Sequence, residues 1–415
     1  MLTSVFYVAA FPYLAVRYRS GFRQRMGLYS PSDMAGLRDK PGRPLWVHAV
    51  SVGEVQAAFP LVREIKKDWK SGLFLTTITP TGRTMAEKLV GADADAMAYY
   101  PWDAPWVVSR AFRRIYPSAY ITVETEIWPG LLARLSREGV PAYIANGRFS
   151  ERSFRKALRD RDFWKDVLGC FRKIIVRSDE DASRLRELGL PGDKVAVTGD
   201  CKVDALLARR KAADPEGLRA RLNGSGLPVL LAGSTHEGEE KIVLEAYKVL
   251  RQSGRRARLV IVPRHPERAP HVAEKARKMS GAAVLLSKLR GDWEILVVDE
   301  LGVLFDLYAL SKAAFIGGSL VPKGGQNVLE AAVWGVPVQH GPHMEDFSVA
   351  VKELRQRNAA EQVTSAEELA KSWIDILDDE NAEERGSGAK RYVEELGGSA
   401  ARSWEIIRQT LPDRE

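Results

Sequence analysis

The sequence predicts an α/β protein of two domains, each a doubly wound parallel sheet flanked by helices. Four observations carry that prediction. Short β-rich runs alternate with helical stretches along nearly all of the 415 residues. Those runs are apolar throughout, the pattern of parallel strands buried on both faces. They also fall into two series separated by a charged stretch, which implies two sheets. Finally, the length divides naturally into two domains of roughly 200 residues each. A composition of 45% hydrophobic and 28% charged residues excludes a largely disordered chain. Two cysteines, Cys170 and Cys201, exclude a disulfide framework and fit a reducing cytosolic setting. No CxxC pair points to zinc.

The amino terminus comes first in the chain. Leu2–Val16 is almost wholly apolar or aromatic, and Arg17, Arg19, Arg23 and Arg25 follow it. The run is shorter than the about 20 residues of a full membrane span. The basic cluster follows the apolar run, opposite to the order in a secretory signal. Residues 1–25 are therefore expected to form a membrane anchor or interfacial segment, with the rest of the chain on the cytoplasmic side. A packed surface helix is the alternative. The net charge of +8 favours an anionic partner such as a phosphorylated substrate, an acidic membrane or nucleic acid, or it simply serves solubility.

The first series of strands is expected at Leu45–Val50, Leu73–Ile78, Ala119–Val123, Ala142–Ala145 and Lys173–Arg177. The second is expected at Val229–Ala232, Arg258–Val262, Ile295–Val298, Ala313–Ile316 and Val336–Gln339. A charged linker lies between them, near Ala205–Leu227. The expected division is thus 26–205 for the first domain and 206–390 for the second. Residues 391–415 form an amphipathic tail helix.

In doubly wound sheets ligands bind beyond the carboxyl ends of the strands, so the loops there matter most. After the first strand, Ser51-x-x-Glu54 reads as a capping box that opens a helix. Gly53 sits in that first turn, where it favours close approach of a ligand, and Glu54 is placed to accept a proton. Later, Glu124-Thr125-Glu126-Ile127-Trp128-Pro129 puts two carboxylates and an indole at one strand end. If extended, Glu124 and Glu126 share a face; a helix start is the alternative. Lys202, in the Gly199–Asp204 stretch, is suited to neutralising an anion. Gly233-Ser234-Thr235 reads as a turn whose backbone N–H groups face a phosphate. Arg264 and His265 follow a strand in a proline-fixed loop, and Arg264 suits a phosphate. The densest signal is Gly317–Ala332, where Gly318, Ser319, Gly324 and Gly325 surround a strand-to-helix passage. Glycines there admit a nucleotide phosphate to backbone amides, and Asn327 and Glu330 have capping-box-like spacing. Asp93-Ala94-Asp95 and Asp160-Arg161-Asp162 have the spacing of a metal site but read as solvated or salt-bridged acids.

Together these segments resemble the bacterial Kdo (3-deoxy-D-manno-octulosonic acid) transferases of lipopolysaccharide biosynthesis. The matching strings are HAVSVGE, ETEIWP, NGR, GDCKVD, AGSTHEGEE, PRHPER, GGSL…GGQNVLEAA and GPHMEDF, in the family's order and spanning nearly the whole chain. The resemblance implies a GT-B glycosyltransferase fold: two Rossmann-like domains facing a cleft, with an N-terminal apolar anchor helix and a last helix returning to the first domain. It implies transfer of Kdo from the donor CMP-Kdo to a lipid A precursor (lipid IVA), at the cytoplasmic face of the inner membrane. It further implies that no metal and no other cofactor is required, and that nucleic acid is not a partner. Glu54 matches the general base; Glu126 and Lys202 match residues that stabilise the transition state. Arg264 and His265 match contacts to CMP, as does the segment Asn327, Val328, Leu329 and Glu330. Leu301, Gly302 and Val303 align with a further CMP-contacting turn, where Val303 departs from the expected acid, so that only a backbone contact is carried over. Cys201 stands where asparagine or a similar residue is common. A GT-B enzyme using another nucleotide sugar, a sugar-nucleotide epimerase, and a non-catalytic binder of anionic lipid or nucleic acid are the competing readings.

Overall fold

A computed structural model describes residues 18–222, 226–379 and 382–412. Its chain divides into two compact units, one comprising the residues through Ala205 together with Leu396 onward, the other Leu206–Glu395.

The first unit carries β1 (Leu45–His48), β2 (Leu73–Thr77), β3 (Ala96–Tyr99), β4 (Ala119–Val123), β5 (Ala142–Gly147), β6 (Phe171–Val176) and β7 (Val195–Val197). They pair in parallel in the order β3-β2-β1-β4-β5-β6-β7. β1, β2 and β4 are buried along their whole length, as continuous apolar runs require. Trp46, Phe74 and Tyr120 fill one face of the sheet. The helix Val52–Asp68 covers the other face through Val55, Ala58, Leu61, Val62 and Ile65.

The second unit repeats the plan with β8 (Val229–Thr235), β9 (Arg258–Pro263), β10 (Ala283–Leu285), β11 (Ile295–Val297), β12 (Ala313–Ile316), β13 (Val338–His340) and β14 (Ala360–Gln362). Their order is β10-β11-β9-β8-β12-β13-β14, again all parallel. Phe315, Tyr247 and Trp373 anchor its core. In both sheets the strand order reverses direction once, between β1 and β4 and between β8 and β12. These are the topological switch points at which doubly wound sheets hold ligands.

Several expectations change. The charged connection near Ala205–Leu227, read as exposed and open to being helical in part, is helical at Cys201–Ala212 and Pro215–Leu222. The tail is two helices, Ala382–Glu395 and Ser399–Thr410, because Gly398 takes a left-handed φ of 82° that ends any continuous helix. The second of these packs on the first unit. Trp404 Nε1 donates to Asp68 Oδ1 at 2.9 Å, and the Tyr143 hydroxyl donates to the Thr410 carbonyl at 2.9 Å. The expected anchor, Leu2–Val16, lies outside the described residues. Among the described residues no helix is long and apolar enough to cross a membrane. Arg25, expected among the headgroup-facing cations, is instead 2% exposed. Its guanidinium donates to the Ile78 carbonyl at 2.5 Å and lies 4.4 Å from the Tyr99 ring centroid. Asp95 is likewise structural, held by Lys40 at 3.0 Å and Lys66 at 2.9 Å.

Candidate active site

At the first switch point, β1 ends in His48 and the chain turns at Ser51 into the helix Val52–Asp68. The capping box forms only in part. Glu54 reaches back, but its Oε2 accepts from the Val50 N–H at 2.5 Å, and the Ser51 hydroxyl donates to Glu54 Oε1 at 3.1 Å and does not cap the helix. The carboxylate is thereby fixed at the helix amino terminus. Burial raises its proton affinity most. The Val50 N–H and Ser51 hydroxyl lower it, Glu124 raises it, and Lys202 lowers it. The net effect is upward, toward the range a general base needs. A Cβ added at Gly53 would meet only Lys202 Nζ, at 3.8 Å, so the missing side chain leaves open space beside Glu54 and Lys202.

Opposite, after β4, the ETEIWP segment is not extended. Glu124 has a φ of 62°, a left-handed conformation uncommon outside glycine, so Glu124 and Glu126 do not share a strand face. The turn aims Glu124 at Lys202, whose Nζ lies 2.6 Å from Glu124 Oε1. Glu126 is raised to about 7, first by burial, then by the charges of Glu54 and Glu124. Trp128 packs against Tyr100, with ring centroids 5.2 Å apart, as part of the aromatic floor; it does not stand free as a platform for a sugar. Lys202 itself is placed by local bonds. Its N–H donates to Asp200 Oδ1 at 2.9 Å, and Asp200 is salt-bridged to Arg177 at 3.0 Å. The preceding Cys201 N–H donates to the buried Asn146 Oδ1 at 2.8 Å, which ties the NGR string to the same corner. Glu54, Glu124, Glu126 and Lys202 thus form one cluster of three acids and a cation.

At the second switch point the expected phosphate turn Gly233-Ser234-Thr235 belongs to β8 itself, bulged at Ser234, whose φ is 57°. Gly233 is needed for packing, since a Cβ there would lie 2.6 Å from the Tyr308 hydroxyl. Thr235 is fully buried and donates to Glu240. The following helix, Glu239–Gln252, opens with two buried acids. Glu240 is bridged to Arg268 at 2.7 Å. Glu239 accepts from the backbone N–H groups of His236 at 2.8 Å, Gly318 at 2.8 Å, Ser319 at 3.0 Å and Leu320 at 2.9 Å. The amides of Gly318 and Ser319, expected to face a phosphate, are therefore already occupied. Gly324 and Gly325 have φ of 80° and 78°, and their added Cβ atoms would strike Asp346 and Met344, so backbone conformation and packing explain them.

Around this loop, Arg264 and His265 are exposed at the end of β9, as a donor contact needs. Asn327 Oδ1 accepts from the Leu329 N–H at 3.1 Å and opens the short helix Leu329–Ala332. Val328 is buried behind it. Glu330 is partly buried, its proton affinity raised by burial, and Arg209 approaches it at 3.6 Å. Leu301 is 82% exposed and Gly302 has open space about it, leaving that turn accessible ahead of Val303. Among the described residues no group of three or more His, Cys, Asp or Glu is arranged to hold a metal.

Residues 20–205 match the family model described as 3-deoxy-D-manno-octulosonic-acid transferase (kdotransferase). A 3-deoxy-D-manno-octulosonic acid transferase of Haemophilus influenzae is 30% identical over 401 residues, 95% of this chain and 92% of the relative. One from Bordetella pertussis is 32% identical over 400 residues, 93% and 90% of the two chains.

This chain belongs to the Kdo transferase family.

Among solved structures it is similar to UDP-GlcNAc 2-epimerase from Neisseria meningitidis, with a TM-score of 0.60 at 14% identity, over 89% of this chain and 99% of that one. A glycosyltransferase from Rickettsia africae gives 0.58 at 14% identity, over 90% and 100%. At such identity the likeness shows the fold alone: two parallel-sheet α/β domains of the GT-B kind. The candidate residues fall separately in the two units. Glu54, Glu126 and Lys202 gather at the switch point of the first sheet, with Glu124 as a member that sequence reasoning left without a role. In the second unit, Arg264 and His265 follow β9, and Asn327 and Glu330 stand at the start of the helix Leu329–Ala332. Glu239 was given no role either, although it lies within the AGSTHEGEE string.

Proposed function

We propose that this chain catalyses inverting transfer of Kdo from CMP-Kdo to a lipid A precursor. The observation that carries the reading is the acid cluster at the first switch point, in particular Glu54: a buried carboxylate of raised proton affinity beside open space at Gly53. In the proposed step Glu54 takes the proton of an acceptor sugar hydroxyl. The hydroxyl oxygen bonds to the anomeric carbon of Kdo as the bond from that carbon to the CMP phosphate oxygen breaks, and both of its electrons leave with CMP. Glycosidases use two carboxylates because their leaving group must be protonated. A phosphate leaving group needs charge stabilisation more than a proton, so one base serves. Arg264 is suited to that charge, an effect commonly worth about 3 kcal/mol per well-placed donor. Lys202, held by Glu124, offsets charge within the acid cluster and is proposed to stabilise the transition state. Glu126 completes the electrostatic surroundings of the transition state. CMP-activated sugars have no diphosphate for a metal to bridge, so the reaction is expected to run without metal.

The acceptor is lipid-linked, and the apolar segment Leu2–Val16 is proposed to hold the enzyme at the cytoplasmic face of the inner membrane. Lipid IVA and CMP-Kdo, the latter made in situ, test the reading once a chelator has been added. Mass spectrometry should then show the acceptor heavier by one or more Kdo units. CMP binding without product would point to a different acceptor, and preference for UDP over CMP would point to another nucleotide sugar.

A further inference from the structure

The glycine-rich loop after β12 is the natural place to seat a phosphate, and it is already filled from within. Glu239 is fully buried and accepts from four backbone N–H groups, two on each oxygen. Three of these donors belong to the loop after β12 and the fourth is the N–H of His236, in the loop after β8. One carboxylate thus clamps together the two loops of the second switch point. With these four amides occupied, side chains are the natural groups to meet an anion here.

The clamp presents one such side chain. The bond from its own backbone fixes His236, and its Nε2 is buried with no partner. Gly318 leaves room for the ring: a Cβ there would lie 3.3 Å from His236 Cδ2 and 3.4 Å from Nε2. The His265 ring stands edge-on to it at 6.3 Å. Four charged or titratable groups face His236. These are Glu239 on its own helix start, Arg264 and His265 after β9, and Lys323 from the glycine-rich loop. Burial lowers its proton affinity most; Glu239 pulls it up, and His265, Lys323 and Arg264 lower it further.

We propose that His236 is a binding residue for the anionic part of the donor, its phosphate or its carboxylate, and that Glu239 is the positioning residue that presents it. The proposal rests on the nucleotide-donor reading of the second unit and adds two residues to it. Gln at position 239 keeps the shape but offers one acceptor oxygen where two are needed, and its NH2 faces N–H donors, so half of the clamp opens.

The test is CMP binding by calorimetry, together with steady-state kinetics on the full chain, for the wild type, His236→Gln, Glu239→Gln and the double variant. Loss of a hydrogen bond to a charged group predicts that His236→Gln weakens CMP or raises KM for the donor by about tenfold or more, with kcat changed far less. If Glu239 acts through His236, most of the loss of donor affinity caused by Glu239→Gln disappears in the His236→Gln background. Thermal melts separate a general loss of fold, which would lower activity without this split. Equal donor affinity in wild type and His236→Gln overturns the proposal, and so do fully additive losses in the double variant. Wild type that binds UDP and not CMP would instead defeat the donor reading beneath it.

Discussion

Replacing Lys202 by methionine keeps the length of the side chain and removes its charge. The ammonium lies 2.6 Å from Glu124 Oε1, with the two side chains 39% and 21% exposed. Two unit charges about 4 Å apart interact by about 4 kcal/mol at an effective dielectric of 20. Solvent exposure of the lysine reduces the net worth of such a pair to about 1 kcal/mol. Glu54 feels the same ammonium, which lowers its proton affinity against the opposing push of burial and Glu124. Without the lysine, Glu54 holds its proton to higher pH, and the base must be deprotonated to act. The acid limb of kcat/KM should therefore move to higher pH by about half to one unit, at 1.4 kcal/mol per unit. The assay is initial-rate Kdo transfer across the limb, with Lys202→Arg as the variant that retains the charge and keeps the limb in place. A Lys202→Met limb that coincides with that of the wild type, beneath a lower plateau, would refute the electrostatic argument and leave Lys202 acting on substrate alone.

Other consequences concern neighbouring groups. Glu126 is raised to about 7, so the folded state holds a proton that the unfolded chain releases near the ordinary carboxylate range, and this acid costs stability as pH rises from that range through about 7. Glu126→Gln should raise the Tm at pH 8 by a few degrees, worth about 1–2 kcal/mol after allowance for its partial exposure, while lowering turnover, and the gain should vanish near pH 4.5. Arg268→Met strands the nearly fully buried Glu240 without its bridge and should cost about 3 kcal/mol in urea unfolding, with most of the loss recovered in Arg268→Met/Glu240→Leu. A Cβ at position 233 would crowd the Tyr308 hydroxyl, so Gly233→Ala should cost about 1–3 kcal/mol, and markedly less in a Tyr308→Phe background.

The buried central strands were legible because burial on both faces demands continuous apolar residues. Ala119–Val123 and Ala313–Ile316 fall where the sequence places them. The strands it does not reveal are short or lie at the edges. Ala360–Gln362 is Ala-Glu-Gln and largely exposed, and Ala283–Leu285 is half covered, so neither carries the apolar signature. Local motifs likewise placed Glu54 and Lys202 on strand-end loops. The pairing of Lys202 with Glu124 depends on a left-handed residue and on strands distant in sequence, which no short pattern encodes. The same holds for Glu239. Its bonds run to residues about eighty positions away, so a glycine-rich string that looks made for phosphate turns out to be satisfied by the protein's own acid.

The central claim is that Glu54 is the base of a Kdo transfer. The measurement that tests it most directly is single-turnover transfer from CMP-Kdo to lipid IVA by wild type and Glu54→Gln, with CMP affinity measured on the same samples. With Glu54 as the base, the wild type gives product, the variant loses at least about a hundredfold in transfer rate, and CMP affinity is unchanged. A variant that transfers Kdo at the wild-type rate would contradict the account.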